Sequence, residues 1–180
     1  MKNKAVFLDR DGVLNRAFVR DGKPYPPYEI DEFEILPGVR DALELFKAMG
    51  YLTVVVTNQP DIKTGKQTSG KIESFHRVLT QQLPIDDIRM CCHTDDDNCY
   101  CRKPKPGMLL AAAEDLKIDC QRSVMVGDRW RDVKAGAAAG CQNFLIDYGY
   151  AETIDLDEYQ FQKVTDLLEA ARLISRIDQI

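Results

Sequence analysis

Two hydrophobic patterns alternate along this chain. Runs rich in apolar and β-branched residues predict strands, and they lie at 5–8, 52–56, 88–90, 123–126 and 143–146. Apolar residues at helical spacing predict helices over 39–49, 69–82, 108–116, 133–139 and near 163–174. Gly50 and Gly140 follow two of these helices directly, at the position where glycine commonly ends a helix. The segment from Asn15 to Pro37 is expected to be a loop rich in proline and aromatic residues.

This order of elements predicts the fold class. Regular alternation of strand and helix favours a parallel sheet with helices on both faces, because each crossover between parallel strands packs a helix against the sheet. We therefore expect a doubly wound, Rossmann-like α/β fold. The chain has 180 residues and no low-complexity linker, so a single domain over 1–180 is expected.

Composition and charge narrow the classes of function. Hydrophobic residues make up 44% of the chain and charged residues 29%, while the net charge of −5 disfavours nonspecific binding to nucleic acid. No apolar run approaches the roughly 20 residues that span a bilayer, and the N-terminal residues show no signal-peptide pattern. We expect a cytoplasmic protein that binds neither membrane nor nucleic acid and that is a monomer or a weak dimer.

The most informative polar feature follows directly on the first predicted strand, at Asp9-Arg10-Asp11-Gly12. Residues two apart in an extended segment point the same way, so Asp9 and Asp11 are expected side by side at the carboxyl end of a strand. Two adjacent carboxylates repel each other unless a cation or a shared proton relieves them. The pair suits a nucleophile beside a group that moves a proton, with Mg²⁺ holding both. A solvated turn is the alternative interpretation.

Polar groups at three further points of the sequence fit a site for phosphoryl transfer. Thr57 and Asn58 end a strand with donors suited to phosphate oxygens, and Lys103 precedes the proline-rich start of a helix. Asp128 follows another strand, and Asp132 comes one helical turn later, so both can face one crevice and serve a hard divalent cation. Each pattern alone is also typical of caps, turns or exposed helix starts.

The order and positions of these residues resemble the motifs of the haloacid dehalogenase superfamily of phosphotransferases. The resemblance covers most of the chain, from Val6 to near Ile146. The matching positions are Asp9-Arg10-Asp11-Gly12-Val13-Leu14-Asn15, Thr57-Asn58-Gln59, Lys103, and Gly127-Asp128 with Asp132. Many members of the superfamily insert a large cap domain after the first or second motif. Both gaps are short here, so we expect no large cap domain and a largely open crevice.

The resemblance assigns roles to these residues. It implies that Asp9 attacks phosphorus, that Asp11 acts as general acid and base, and that water then hydrolyses an aspartyl-phosphate. Thr57 and Lys103 would act on the transferring phosphoryl group. Further candidate substrate-binding residues are Asn58, Gln59, Arg102 and Arg129. The implied ligands of a catalytic Mg²⁺ are Asp9, the backbone carbonyl of Asp11, Asp128 and, as an open candidate, Asp132.

Cysteine and histidine residues crowd into one short segment, Cys91-Cys92-His93 followed by Cys99-Tyr100-Cys101. Two Cys-x-Cys or Cys-x-His pairs can close around one tetrahedral Zn²⁺. The Cys-x-His spacing favours Cys91 over Cys92, which stays an alternative ligand. We predict a structural zinc loop over 91–101 with the ligands Cys91, His93, Cys99 and Cys101, which would brace the adjacent Arg102-Lys103 segment. A reduced, metal-free loop is the alternative.

This segment narrows the resemblance within the superfamily. Cys-x-His, Cys-x-Cys and Arg-Lys-Pro in that order are similar to the capless D-glycero-D-manno-heptose 1,7-bisphosphate 7-phosphatases and to the related histidinol-phosphate phosphatases. The resemblance implies that Arg102 and Lys103 contact substrate phosphate or stabilise charge. We therefore predict a Mg²⁺-dependent phosphomonoesterase that removes the 7-phosphate of the heptose bisphosphate. The longer loop after Asn15 and the segment Gln59-Pro60-Asp61-Ile62 differ from the expected heptose-enzyme pattern.

Other functions stay open at this point. The short span from His93 to Cys99 resembles the histidinol-phosphate type, and a phosphatase for another small sugar phosphate also fits. An open crevice admits a polynucleotide 3′-phosphate, although the acidic charge and the lack of a basic aromatic stripe count against it. A non-catalytic, zinc-stabilised binding domain is the remaining alternative, and the presence of Asp9, Asp11 and Lys103 disfavours it.

Overall fold

The computed structural model describes residues 2–152 and 155–177, so the ends of the predicted 1–180 domain and residues 153–154 lie outside the described residues. Its strands are β1 (Lys4–Leu8), β2 (Phe18–Arg20), β3 (Lys23–Tyr25), β4 (Tyr51–Asn58), β5 (Asp87–Cys91), β6 (Val124–Gly127), β7 (Gln142–Ile146) and β8 (Gln162–Val164). Its α-helices are α1 (Val39–Ala48), α2 (Ser69–Gln82), α3 (Gly107–Asp115), α4 (Trp130–Ala139) and α5 (Leu167–Ile177).

Six of the strands form one parallel sheet in the order β5-β4-β1-β6-β7-β8. The chain starts at the centre with β1, builds β4 and β5 on one side, and then crosses to build β6, β7 and β8 on the other. In an open sheet of this kind a crevice forms where the direction of building reverses, at the carboxyl ends of the central strands. The predicted doubly wound parallel α/β fold is confirmed.

Helices cover both faces of the sheet because successive strand residues point to opposite sides. In β1, Val6 and Leu8 join a core with side chains of α1 and α5, whereas Ala5 and Phe7 join a second core with side chains of α3 and α4. All four strand residues are fully buried. The burial of β1 on both faces fixes the position of the residues that follow it.

The structure differs from the predicted elements most at two places, and α4 also begins three residues before the predicted start at 133. The expected loop over 15–37 contains the antiparallel hairpin β2–β3 and a short 3-10 turn. The last helix begins at Leu167 rather than near 163, and the residues just before it form the edge strand β8. The Asp166 carboxylate accepts a hydrogen bond from the backbone N–H of Glu169 (2.7 Å), which caps the helix at this point.

Two short segments meet beside the crevice. They are the β2–β3 hairpin and the segment after β7. The carbonyl of Gly22, at the tip of the hairpin, accepts a hydrogen bond from the backbone N–H of Ala151 (2.8 Å). In the same segment after β7, the Tyr148 hydroxyl donates to the carbonyl of Gly12 (3.0 Å) in the turn after β1. The crevice is therefore flanked by small loops, and the described residues contain no large cap domain. None of the described helices is long and apolar enough to cross a membrane.

Candidate active site

A cleft of about 210 Å³ opens at the carboxyl ends of the central strands. Asp9 follows β1, Asp128 follows β6, and Asp132 lies in the first turn of α4, so that one carboxylate oxygen of each lies within 4.8 Å of the others. Gly12 allows the turn after β1 to lie close to the Asp128 side chain. Its φ is +86°, and a Cβ built there would lie 2.1 Å from an oxygen of Asp128.

Lys103 enters this cluster from the segment before α3. Its Nζ lies 2.6 Å from Asp132 Oδ1 and 3.0 Å from Asp9 Oδ1, and the residue is only 1% exposed. Asn58, the last residue of β4, holds the backbone of Lys103: its Nδ2 donates to the carbonyl of Lys103 (3.0 Å) and its Oδ1 accepts from the Lys103 N–H (3.1 Å). Asn58 therefore positions the lysine in addition to lining the cleft.

The cluster holds three carboxylates and one ammonium group, so its negative charge is not fully compensated and favours binding of a further cation. Burial raises the pKa of Asp9 to about 6; Lys103 opposes this shift, and the charge of Asp132 adds to it. Burial also raises the pKa of Asp128 well above its ordinary value, and the charges of Asp9 and Asp132 add to that shift. Asp128 Oδ1 is buried and has no hydrogen-bond partner among the described residues. Clustered oxygen donors of this kind fit a hard divalent cation such as Mg²⁺.

The Asp11 carboxylate lines the same cleft but is not part of this cluster. Its Oδ2 accepts from Arg10 Nη2 (2.9 Å) and Gln59 Nε2 (2.9 Å), and its Oδ1 accepts from Asn15 Nδ2 (2.9 Å). The Arg10 side chain is fully buried, and its Nη1 lies 3.4 Å from His76 Nε2. The extended-strand argument for the Asp-x-Asp pair does not apply, because the strand ends at Leu8 and a turn begins, and the two carboxylates have different hydrogen-bond partners. The Asp11 backbone carbonyl remains its candidate metal contact.

The other residues predicted after β4 have different surroundings. Asn58 and Gln59 line the cleft, whereas Thr57 is 1% exposed and is not among the lining residues. The Thr57 hydroxyl accepts a hydrogen bond from Gln59 Nε2 at 2.9 Å. The same amide group of Gln59 donates to Asp11, so Gln59 links the Thr57 hydroxyl to the predicted general acid.

Three arginines line the cleft beside Lys103, and sequence reasoning found two of them, Arg102 and Arg129. Arg129 Nε donates to a carboxylate oxygen of Glu152 at 2.8 Å. Arg131, which sequence reasoning missed, lies in the first turn of α4, directly before Asp132. Its position one residue from a predicted site residue was the available signal.

Sequence reasoning also missed Tyr150. Its hydroxyl donates to Asp128 Oδ2 at 2.9 Å, and burial together with the Asp128 charge raises the pKa of the Tyr150 phenol. The residue lies in the segment after β7, which carries neither helical nor strand spacing. No pattern in the sequence therefore distinguished it from other loop tyrosines.

The predicted zinc ligands come together at the end of β5, which Cys91 closes, and in the loop that follows it. The Sγ of Cys101 lies 3.2 Å from Cys91 Sγ, 3.4 Å from Cys99 Sγ and 3.3 Å from His93 Nδ1. Thiolates around a tetrahedral Zn²⁺ are about 3.7 Å apart, from a zinc–sulfur distance of about 2.3 Å, so the four residues fit the ion after small shifts. Cys92 is not in the group. The loop leads directly into Arg102 and Lys103.

Comparison with known proteins gives one consistent family. A model of haloacid dehalogenase-like hydrolases matches residues 18–140. The D-glycero-beta-D-manno-heptose-1,7-bisphosphate 7-phosphatase of Haemophilus influenzae is 37% identical over 97% of this chain and 98% of its own length. The Salmonella typhi protein of the same name is 42% identical over 75% of each chain. The crystal structure of a D,D-heptose 1,7-bisphosphate phosphatase from B. bronchiseptica, complexed with magnesium and phosphate, is 30% identical, has a TM-score of 0.78, and aligns over 97% of this chain and 99% of that one.

Proposed function

Because this chain belongs to the haloacid dehalogenase-like hydrolase family and is a phosphatase, we propose that it removes the 7-phosphate of D-glycero-D-manno-heptose 1,7-bisphosphate through an aspartyl-phosphate on Asp9. The observation that carries the proposal is the position of Asp9 at the end of the central strand, with the ammonium of Lys103 3.0 Å from its carboxylate. The names of the similar proteins support the substrate.

Asp9 is the nucleophile. Its pKa of about 6 leaves the carboxylate ionised at neutral pH, and the backbone N–H of Arg10 (2.7 Å) and Lys103 Nζ both contact its Oδ1 and orient the group. Attack on phosphorus forms the Asp9–phosphate bond and breaks the bond to the sugar oxygen. Lys103 stabilises the negative charge on the phosphoryl oxygens during this step.

Asp11 moves the protons. It donates one to the departing sugar oxygen and later takes one from the water that hydrolyses the aspartyl-phosphate. Arg10, Asn15 and Gln59 donate hydrogen bonds to its carboxylate and fix its orientation in the cleft that Asp9 also lines. Gln59 also contacts the Thr57 hydroxyl, which places a further donor next to this network.

The two metals have separate roles. Asp9, Asp128 and the Asp11 carbonyl would hold Mg²⁺, which supplies positive charge at the reacting phosphoryl group. Asp132 already uses both oxygens, Oδ1 with Lys103 Nζ (2.6 Å) and Oδ2 with the backbone N–H of Arg129 (3.0 Å). We therefore assign Asp132 to positioning Lys103 rather than to direct ligation. Zn²⁺ on Cys91, His93, Cys99 and Cys101 would fix the segment that carries Arg102 and Lys103.

The charge of the cleft supports a doubly phosphorylated sugar over histidinol phosphate. Arg102, Lys103, Arg129 and Arg131 all line it. Lys103 and Arg129 pair with carboxylates, whereas Arg102 and Arg131 share the single carboxylate of Asp95, so a second phosphate group finds complementary charge at these two arginines. Histidinol phosphate has no second anionic group to pair with them. The hairpin contributes Pro24, Tyr25 and Pro26 to the wall, where a sugar can pack.

The proposal is tested by measuring kcat/KM for the heptose 1,7-bisphosphate and histidinol phosphate and by identifying the product with ³¹P NMR. We expect the bisphosphate to be preferred and the product to keep its 1-phosphate. Asp9→Asn should reduce turnover by more than about a thousandfold with the fold retained, because the covalent step is lost. Asp31→Asn, an exposed aspartate on the 3-10 turn, is the matched control. A product that keeps the 7-phosphate, or a preference for histidinol phosphate, would contradict the proposed substrate and site of hydrolysis.

A further inference from the structure

We propose that Arg131, together with Arg102, binds the phosphate group of the substrate that is not transferred. This inference rests on the proposed function, because it assigns a subsite to the second phosphate of a bisphosphate. The two arginines lie on different segments, one before α3 and the other in α4, and both line the cleft. A carboxylate of the 95–97 turn, Asp95, joins them.

Arg131 is held in one orientation by three contacts. Its Nη1 and Nη2 donate to Asp95 Oδ1 (2.9 Å) and Oδ2 (3.1 Å), and Nη1 also donates to the carbonyl of Lys103 (3.3 Å). The guanidinium lies over the Trp130 ring, 4.6 Å from its centroid. A guanidinium that is already fixed loses little conformational freedom when it binds an anion, which favours tight and selective binding.

The arginine pair carries an unbalanced charge. Arg102 Nε donates to the same Asp95 Oδ1 at 2.9 Å, so two guanidinium groups share one carboxylate. The other cations of the cleft are compensated: Lys103 pairs with two aspartates, and Arg129 pairs with Glu152. One positive charge of the Arg102–Arg131 pair is therefore left for a ligand.

The hydrogen-bonding capacity of the pair is also incomplete. Arg102 Nη1 is buried and has no acceptor in the part of the chain that the structure describes. A buried donor without an acceptor is costly, and a phosphate oxygen in the cleft would supply one. Both arginines directly adjoin residues of the reacting centre in sequence, Lys103 and Asp132, yet their carboxylate partner lies outside that centre. This is the position expected for a group that recognises the substrate beyond the reacting phosphate.

The test compares two substrates that share the reacting group, the heptose 1,7-bisphosphate and the heptose 7-phosphate. In Arg131→Met, kcat/KM for the bisphosphate should fall by about 10-fold to 100-fold, the range for a lost hydrogen bond to a charged group. The loss should lie mainly in KM, because the second phosphate does not react, and kcat/KM for the 7-phosphate should stay within about threefold. Arg131→Lys keeps the charge but loses the bidentate donor. Its kcat/KM for the bisphosphate should therefore lie between those of the wild type and Arg131→Met. Arg172→Met, an exposed arginine on α5, is the matched control.

The outcomes separate this inference from the proposed function. An equal loss for both substrates would overturn it, because Arg131 would then act on the transferred phosphate or on the fold. A wild-type enzyme that uses both substrates equally well would also overturn it. If the wild type hydrolyses neither heptose compound, the proposed function fails. The role of Arg131 is then decided by whether Arg131→Met lowers kcat/KM for fructose 1,6-bisphosphate more than kcat/KM for fructose 6-phosphate. Absence of turnover on all four compounds refutes both.

Discussion

Replacing Lys103 with methionine should destabilise the metal-free protein strongly. Lys103 Nζ is 2.6 Å from Asp132 and 3.0 Å from Asp9, and the side chains of Lys103 and Asp132 are each 2% exposed. Removing one partner of a buried ion pair costs about 3–5 kcal/mol of unfolding free energy, because the remaining charge stays buried and unpaired. At about 2–4 °C per kcal/mol for a chain of this length, Tm falls by roughly 6–20 °C.

The same variant should show a characteristic dependence on pH and on metal. Burial already raises the pKa of Asp9 from 3.8 to about 6, and the ammonium of Lys103 limits that shift. Without Lys103 the folded-state pKa rises further. A carboxyl group with a raised folded-state pKa contributes stability at low pH and loses it as the pH rises through that value. The deficit of Lys103→Met should therefore be larger at pH 8 than at pH 5. Saturating Mg²⁺ should reduce the deficit, because the ion binds the uncompensated carboxylates of the variant more tightly than those of the wild type, which Lys103 already pairs.

Urea unfolding at both pH values, in EDTA and in Mg²⁺, measures this deficit. Lys63→Met is the matched control, because Lys63 is 49% exposed and pairs with Asp97 at the surface, where an ion pair contributes at most about 1 kcal/mol. If Lys103→Met is no less stable than Lys63→Met at pH 8 in EDTA, the lysine does not compensate buried carboxylates, and the charge argument for the cluster is refuted.

Three further changes test other parts of the site. Tyr150→Phe removes the hydroxyl that donates to Asp128 (2.9 Å), and titration calorimetry should show Mg²⁺ binding weakened by about tenfold. Cys101→Ser removes a central ligand of the zinc cluster, so mass spectrometry should find no zinc, and kcat/KM should fall because Lys103 follows the loop. His76 has a pKa lowered to about 4 by burial and by Arg10. From pH 7 to pH 5 the unfolded state gains a proton that the folded state does not, so the wild type should lose about 2 kcal/mol relative to His76→Gln in urea unfolding.

Each of these expectations has a result that would contradict it. Unchanged Mg²⁺ affinity in Tyr150→Phe would mean that the hydroxyl does not orient Asp128. Retention of one zinc per chain in Cys101→Ser would remove this residue from the ligand set, and Cys120→Ser, outside the cluster, should keep its zinc. If the unfolding free energies of wild type and His76→Gln fall equally from pH 7 to pH 5, groups other than His76 cause the loss of stability.

The sequence allowed the main elements to be predicted where hydrophobic spacing extends over several turns or a buried strand. The helix over 69–82 has its predicted bounds, and β4 contains the predicted run over 52–56. The hairpin β2–β3 and the edge strand β8 could not be predicted in this way. Each of these strands has only three residues with at most one buried, so none carries a readable hydrophobic period.

The sequence allowed us to predict which residues meet at the site, but not which partners their side chains contact. Strand-end residues meet at one edge because the sheet is parallel, which brings Asp9, Asp128 and the Lys103 segment together as expected. Side-chain directions depend on turns and on distant partners. Asp11 turns to Arg10, and the contact of Tyr150 with Asp128 depends on how the segment after β7 folds back. Local sequence patterns contain no information on either.

The main-chain hydrogen bond between Ala151 and Gly22 has a consequence for redesign. A bond between backbone groups does not depend on side-chain identity, so the residues around it can vary while the two segments stay joined. Gly22 is the exception, since its φ is +71° and a Cβ there would lie 2.7 Å from Ala151. A combinatorial library over 23–26, with Gly22 unchanged, should yield folded enzymes with altered substrate range and intact hydrolytic chemistry.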